Sequence, residues 1–383
     1  MNQMNLNDEH NIIRASIRDF AEREIKPVAG ELDEKEEFSS GLTAKMGSLG
    51  LFGTTVSEEY GGHGLDYLSY VIAVEELARV DGSQAATVAA HNSLGTGPIF
   101  YFGTEEQKKK YLPPLCTGKA LWAFGLTEAG AGSDSQATKT TAQLKDGHWV
   151  INGSKTFITN GSADITAGVT VKAVTGQRGD GKKELSTILV EAGTPGFTAK
   201  TMKGKMMWRG SNTSEMFFEN CRVPAGNLLG GRGDGAKIML TALDSGRLAI
   251  GAMGLGLAQG AFEAALKYSK ERKQFGQAIS QFQVIAFKLA DMAVKVEAAR
   301  NLLYNACWLK DNAKPFAKEA AMAKLYCSEV AKDVADEAVQ IHGGYGLLKG
   351  YEVERFYRDQ RLLQIGEGTS EIQRLVISRH LGL

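Results

Sequence analysis

One carboxylate near the end of the chain has an unusual setting. Glu367 lies between Gly366 and Gly368 in the run Gln364-Ile-Gly-Glu-Gly-Thr-Ser-Glu-Ile-Gln373, behind the apolar entry Leu362, Leu363 and Ile365. A carboxylate desolvated in such surroundings holds its proton more tightly and could serve as a general base near neutral pH. Taken singly, the same residues better describe a surface loop before a C-terminal helix capped by Thr369. Three further segments suit a ligand. Phe124-Gly-Leu-Thr-Glu-Ala-Gly-Ala-Gly-Ser-Asp134 joins a strand to small residues that admit a ligand to the backbone, with hydroxyls at Thr127 and Ser133. A glycine cluster alone is also an ordinary hairpin loop. Arg272-Lys-Gln-Phe-Gly276 follows a long helical run. Its guanidinium could grip a diphosphate in bidentate fashion, although basic residues at a helix C-terminus closed by glycine are favoured by the dipole alone. Gln340-Ile-His-Gly-Gly-Tyr-Gly346 carries more glycines than one C-cap needs, which suits close approach by a ligand. His342 has no second His or carboxylate at ligand spacing and reads as a loop histidine, so no metal is expected. Neither GxGxxG nor GxxxxGK[ST] occurs, which disfavours a nicotinamide or P-loop reading.

These groups must be positioned by three kinds of element. To about Gly118 the chain is mostly helical: Ile13, Ile17, Phe20 and Ala21 fall at helical spacing, with Pro27 expected to end that helix. Leu42 to Leu49 and Tyr67 to Val80 repeat the pattern, and Thr104 with Gln107 forms a capping-box signature ahead of a solvated Lys108–Lys110 face. From Leu121 to Gly235 the pattern turns strand-like. His148-Trp-Val-Ile-Asn-Gly and Lys155-Thr-Phe-Ile-Thr-Asn-Gly read as two short strands, each ended by an Asn-Gly turn. After Ala236 long helices return over Lys237 to Arg272, Gln283 to Asn312 and Phe316 to Ile341. The organisation is therefore a helical domain over 1–120, a β domain over 121–235 and a helical bundle over 236–383, which matches neither a Rossmann nor a barrel pattern.

Composition excludes more than it assigns. Among 383 residues, 44 Lys+Arg balance 44 Asp+Glu, without the basic excess of a nucleic-acid binder. The apolar stretch Leu248 to Phe262 is rich in Gly and Ala and reads as a buried helix rather than a membrane span. Cys116, Cys221, Cys307 and Cys327 are far apart and form no CxxC pair, which suits a reducing compartment. Without a secretory or transit signature at the N-terminus, a bacterial cytoplasmic location is expected. The one skew is 45 Gly against 7 Pro.

In order and spacing the four segments together resemble the acyl-CoA dehydrogenase family. Glu59-Tyr-Gly-Gly-His-Gly, His91-Asn-Ser-Leu94 with Pro98, Phe102-Gly-Thr-Glu-Glu-Gln-Lys and Ile151-Asn-Gly-Ser-Lys extend the resemblance over nearly the whole chain. His91-Asn-Ser-Leu looks most like the short-chain, butyryl-CoA branch. The resemblance implies a mainly α fold with a central β-barrel-like domain and a C-terminal four-helix bundle. It also implies FAD, an acyl-CoA thioester, electron-transfer flavoprotein as acceptor and a homotetramer built from dimers. In such enzymes the Glu of the EGT motif, here Glu367, removes the α-proton while flavin N5 takes the β-hydride. The catalytic Glu's own backbone N–H and the flavin ribityl 2′-hydroxyl polarise the thioester carbonyl, a reason for glycines beside Glu367. By the same match Phe124, Leu126 and Thr127 contact the flavin ring, and Ser133 lies at the diphosphate and near the coenzyme A moiety. Phe157, Ile158 and Thr159 lie on the flavin's other side. Arg272, Phe275, Gln283, Gln340 and Gly344 reach the FAD diphosphate and adenosine, partly from a neighbouring subunit. Thr369 and Glu371 are further FAD contacts, and Asp244 and Arg247, with Gly366 and Gly368, border the acyl-CoA.

The isovaleryl-CoA type carries its base on the long helix, at the position of Gly246 here, which leaves Glu367 for the role. Gly366 replaces the usual Tyr before the base; either the pocket beside the α- and β-carbons is enlarged for a branched or cyclic acyl group, or a neighbour fills the gap. Met207-Trp208 and Leu348-Lys-Gly350 also depart from the family pattern. On the same fold an acyl-CoA oxidase or an enoyl-CoA reductase is the alternative reading, and a catalytically silent acyl-CoA-binding protein is a third.

Overall fold

The computed structural model describes residues 6–383. The N-terminal helices are α1 (Asp8–Phe20), α2 (Lys26–Lys35), α3 (Ser40–Ser48), α4 (Tyr67–Ala78), α5 (Gly82–Ala90), α6 (Gly97–Phe102) and α7 (Glu105–Cys116). The Thr104–Gln107 capping box opens α7 as expected. Pro27 does not end the first helix. One π-helical turn over Ala21–Ile25 shifts the hydrogen-bond register, and Pro27 then occupies the first turn of α2, where its missing N–H is not needed. Every residue of α4 is buried, so it is a central post rather than a surface helix.

The β domain holds β1 (Leu121–Gly125), β2 (Thr141–Lys145), β3 (His148–Thr159), β4 (Thr166–Gln177), β5 (Lys183–Glu191), β6 (Phe197–Thr201), β7 (Thr213–Pro224) and β8 (Leu228–Leu229). The sheet runs β6-β7-β3-β2-β4-β5-β8, with β1 parallel beside β4. Trp149, Ile151, Ile158, Val169, Val171, Ile188, Met216 and Phe218 fill its core from both halves. Burying each such side chain contributes roughly 1.5–3 kcal/mol. The two expected strands around residue 152 are a single strand, β3. Asn152-Gly153 is a bulge against β7, with Gly153 at φ 142°, because pairing with β7 continues on both sides. The second Asn-Gly does end the strand: Asn160 takes φ 61° and its side chain donates to the Thr87 carbonyl at 3.0 Å.

The C-terminal helices are α8 (Gly235–Glu271), α9 (Gln283–Asp311), α10 (Ala317–His342), α11 (Glu352–Asp359) and α12 (Ser370–His380). A hairpin of β9 (Lys273–Gln274) and β10 (Gln277–Ala278) separates α8 from α9. α8 crosses the middle of the molecule and packs on both α4 and α10. Its small residues permit that: a Cβ at Gly256 would meet the Glu75 carbonyl at 2.3 Å, and one at Gly260 the Arg79 carbonyl at 2.1 Å. By length and composition α8 could cross a membrane, yet 78% of its most apolar stretch is buried inside the protein, as expected for Leu248 to Phe262. His342 is the last residue of α10, not a loop residue. Its ring stacks on Tyr268 at 4.2 Å and its Nδ1 bonds the Ala338 carbonyl at 2.7 Å.

Candidate active site

The chain turns back sharply between the end of α11 and α12. Glu367 takes φ 51° and Gly368 φ 93°, so the candidate base stands on a left-handed two-residue turn. A non-glycine residue there costs roughly 1–2 kcal/mol, a strain that surrounding contacts must hold. Thr369 caps α12 by accepting from Ile372 N–H. The Gly368 carbonyl accepts from Lys324 Nζ at 2.7 Å and from Gln373 Nε2 at 2.9 Å. The turn lays the Glu367 side chain on α8 at Gly246. A Cβ added at Gly246 would fall 1.8 Å from Glu367 Oε2, so a side chain there and the present position of Glu367 exclude each other.

The electrostatics suit a base at neutral pH. Glu367 Oε2 is sealed from solvent and has no hydrogen-bond partner among the described residues. Burial pushes its carboxyl up to about 7, against the pull of Lys324 and Arg247. Arg247 is itself buried and paired with Asp244 one turn away, and burial raises the Asp244 carboxyl. Tyr70, wholly buried on α4, has its phenol held protonated by burial first and by the Glu367 charge second.

The two glycines beside the base differ. Gly368 has a positive φ, and a Cβ there would press Gln373 Nε2 at 2.7 Å. Gly366 needs no special backbone; a Cβ would meet Leu362 Cγ at 3.5 Å and Cδ1 at 3.6 Å, ordinary contact distances. Of the two, only Gly368 therefore has a backbone that calls for glycine.

The two segments matched to the flavin ring lie together in the β domain. Thr156 N–H donates to the Thr127 carbonyl at 2.9 Å, which sets Phe124, Leu126 and Thr127 beside Phe157, Ile158 and Thr159. Phe157 takes φ 58° and leaves its ring 66% exposed, an aromatic face displayed rather than packed. Ser133 is exposed on the glycine-rich loop, and a Cβ at Gly130 or Gly132 would meet nothing within 4 Å.

Arg272, Phe275, Gln283, Gln340 and Gly344 gather elsewhere, at the far end of the bundle. Gly246 and Glu271 are 25 residues apart on α8, roughly 38 Å along the axis. Phe275 and Gly276 occupy the turn of the β9–β10 hairpin with φ 52° and 81°, so Gly276 closes this turn rather than capping α8. Phe275 is 94% exposed. Arg272 and Gly344 border a cavity of about 440 Å³, also lined by Tyr268, His342 and Tyr345, and the guanidinium lies 5.7 Å over the Tyr345 ring. An open aromatic edge in one place and a guanidinium-lined cavity in another fit the ring and the diphosphate ends of a flavin dinucleotide. Within one chain the Glu367 carboxylate, against Gly246, and the Arg272 end of α8 are thus far apart. Thr369 and Glu371 go with the base, at the start of α12.

The two other departures from the family pattern are structural. Trp208 is buried, with its backbone N–H on Asp359 Oδ1 at 2.8 Å and its indole on the Asp359 carbonyl at 3.1 Å, and so pins the β6–β7 connection to α11. Leu348 lines the Arg272 cavity, and Lys349 reaches Glu34 at 3.2 Å.

Three residues escaped the sequence reading. Glu128 accepts from Lys139 N–H at 2.7 Å and Thr140 N–H at 3.1 Å, and from Lys155 Nζ at 2.7 Å; Lys155 also donates to the Leu126 carbonyl at 3.2 Å. This buried pair ties the Leu126–Thr127 segment to β3. Burial brings Lys155 down to about 8, while burial and the opposing donors leave Glu128 at about 2. Lys324 is the third. Its signal was legible: it sits on the small-residue stripe of Ala320, Cys327 and Ser328, where a lysine has no reason to be without an acceptor.

Comparison with known proteins agrees with this geometry. Family models for the acyl-CoA dehydrogenase N-terminal, middle and C-terminal domains match residues 7–119, 123–221 and 233–382. A probable acyl-CoA dehydrogenase of Bacillus subtilis is 52% identical over 376 residues, 98% of each chain. The structure of butyryl-CoA dehydrogenase from Megasphaera elsdenii superposes with a TM-score of 0.96 at 43% identity, covering 100% of both chains. A chain solved in work on the electron transferring flavoprotein of Acidaminococcus fermentans matches with a TM-score of 0.96 at 46% identity, over 99% of each chain. The chain belongs to the acyl-CoA dehydrogenase family. It is an FAD-dependent oxidoreductase, and solved relatives hold the cofactor.

Proposed function

We propose that this enzyme oxidises a short-chain acyl-CoA to the trans-2-enoyl-CoA with Glu367 as the base. The observation that carries this is the orphaned, desolvated Oε2 of Glu367 beside Gly246. Raised to about 7, the carboxylate is deprotonated in a large fraction of molecules at neutral pH and basic enough to take a thioester α-proton. The α-proton goes to Oε2, and the β-hydrogen leaves with its electron pair. FAD supplies the acceptor for that hydride. The Phe124–Thr127 and Phe157–Thr159 segments hold the ring system, with Ser133 at the diphosphate and Thr369 and Glu371 at the base end. Asp244 and Arg247 border the thioester's entry. Arg272, Phe275, Gln283, Gln340 and Gly344 complete the cofactor site of a second copy, since some 38 Å of α8 separates them from this chain's own base. That supports an oligomer, for which the family's homotetramer is the form proposed. Electron-transfer flavoprotein is the proposed acceptor, supported by the Acidaminococcus fermentans match.

Gly366 deepens the reading toward substrate. A Cβ there would meet Leu362 only at ordinary contact distances, so the fold does not forbid the side chain this protein lacks, and we read its absence as favouring a branched or cyclic acyl group over a straight one. Anaerobic bleaching of the flavin by butyryl-, isobutyryl-, isovaleryl- and cyclohexanecarboxyl-CoA ranks these directly. Bleaching by butyryl-CoA alone would sink the Gly366 reading. In the same assay Glu367→Gln retains yellow FAD and loses reduction; reduction at the parent's rate would refute the base assignment. Rapid reoxidation of the bleached enzyme in air would point instead to an oxidase.

A further inference from the structure

Lys324 is a fully buried lysine with one hydrogen-bond acceptor, the Gly368 carbonyl at 2.7 Å. Burying an ammonium without a carboxylate against it is unfavourable, and no ion pair within 4 Å relieves it among the described residues. We propose that Lys324 is a positioning residue for proton abstraction: clamped on the Gly368 carbonyl, it fixes the left-handed turn that aims Glu367 and holds one positive charge behind the carboxylate. This rests on Glu367 being the base.

The geometry has two parts. The Glu367–Gly368 turn is strained, and two neighbours hold its one shared carbonyl. Lys324 reaches it from α10, and the fully buried Gln373 reaches it from α12, extending also to the Glu367 carbonyl at 3.4 Å. One turn further along α10, Ser328 Oγ donates to the Leu363 carbonyl at 3.0 Å, so the same helix face also grips the approach to the loop. The charges around the base come from every packed element. α8 gives Arg247 with Asp244, α10 gives Lys324 and Glu329, α12 gives Glu371 and Arg374, and α4 gives the neutral phenol of Tyr70. Glu329 is occupied by Ser370 and Gln364 at 3.2 and 2.8 Å. Lys324 and Arg247 are thus the two cations that favour the ionised base. Burial brings the Lys324 ammonium down to about 8, which leaves it charged at neutral pH.

Clamp and charge separate by mutation. Lys324→Met removes both; Lys324→Gln keeps a donor and removes the charge; Gln373→Met removes only the neutral clamp. The measurement is the single-turnover rate of flavin reduction against pH, using the acyl-CoA that bleaches the parent fastest, together with flavin absorbance and melting temperature. Both Lys324 variants are expected to move the acid limb upward by about 1 pH unit, the scale of an opposite charge near a carboxylate. Gln373→Met is expected to lower the plateau rate without moving the limb. A Lys324→Gln holoenzyme with an unmoved acid limb overturns the proposal, as does an equal shift in Gln373→Met. Should Lys324→Met not fold, Lys324→Gln decides alone. If Glu367→Gln is inert while the Lys324 limb stays put, only this inference fails. If Glu367→Gln reduces flavin normally, the base assignment itself has failed.

Discussion

Replacing Glu367 by Gln should stabilise the protein, and only above a definite pH. The unfolded chain releases this proton near 4.5, whereas burial holds it in the folded chain until about 7. Between those values the native state binds more protons than the unfolded state, so stability falls as pH rises through the window. The interval amounts to about 3 kcal/mol, fully present below pH 4.5 and fully lost above pH 7. Gln fills the same space and carries no proton to lose. The variant should therefore match the parent near pH 4.5, gain progressively to pH 7, and hold a constant advantage of about 3 kcal/mol at pH 8. Paired thermal or denaturant unfolding of the two holoproteins at pH 5, 6, 7 and 8 reads this as a difference curve. A difference that does not change with pH would show that the Glu367 carboxyl titrates as an exposed one does. A difference growing as pH falls would mean that the site favours the charged form, and would remove the physical basis for a base near neutrality.

Gly246→Ala should abolish flavin reduction by about 100-fold or more while FAD remains bound, because a Cβ 1.8 Å from Glu367 Oε2 must move the base by an ångström or more; stopped-flow bleaching with the flavin spectrum checks both halves. Gly368→Ala should cost about 1–2 kcal/mol from φ 93° alone, with further loss of rate as Gln373 is displaced, read from unfolding curves and kcat. Lys155→Met should destabilise the β domain by about 3 kcal/mol, since it strips the cation from a buried carboxylate and leaves Glu128 only its backbone donors. It should also loosen the Leu126–Thr127 segment, measured as FAD lost on gel filtration.

How much of this was legible in the sequence depended on where the deciding contact came from. The long helices followed from apolar periodicity, and Thr104 and Thr369 act as the caps their spacing announced. Pro27 and Asn152-Gly153 misled for one reason. Both are local stop signals overridden by neighbours: a π-turn puts Pro27 at a helix start, and pairing with β7 carries β3 through a bulge. Glu367 is singled out as the candidate base by the family resemblance, since its glycine and apolar neighbours alone suit a surface loop. The contacts formed by packing could not be read from the chain: Lys324 is 43 positions from Glu367, and Lys155 meets Glu128 across 27, while Gly246, 121 positions away, is named only through the resemblance. A single buried lysine on an alanine-rich stripe hints at a missing acceptor, but only the packing of α10 against the turn says which carbonyl it is.

The two glycines flanking the base show what geometry adds. In the sequence only the family resemblance distinguishes them: Gly366 stands where a Tyr is usual, whereas Gly368 follows the family pattern. Dihedral angles separate them. Gly368 bears a positive φ and would strike Gln373, so any replacement disturbs the turn that aims the base. Gly366 has ordinary backbone, and the nearest neighbour of a Cβ there would be Leu362 at 3.5 Å, an ordinary contact, so its missing side chain is not demanded by the fold. A residue free to vary one position from the base can change the shape of the acyl pocket without moving the base. On the proposed function, Gly368 therefore goes with the chemistry, which is common to every acyl-CoA the enzyme can use, and Gly366 with the choice among them.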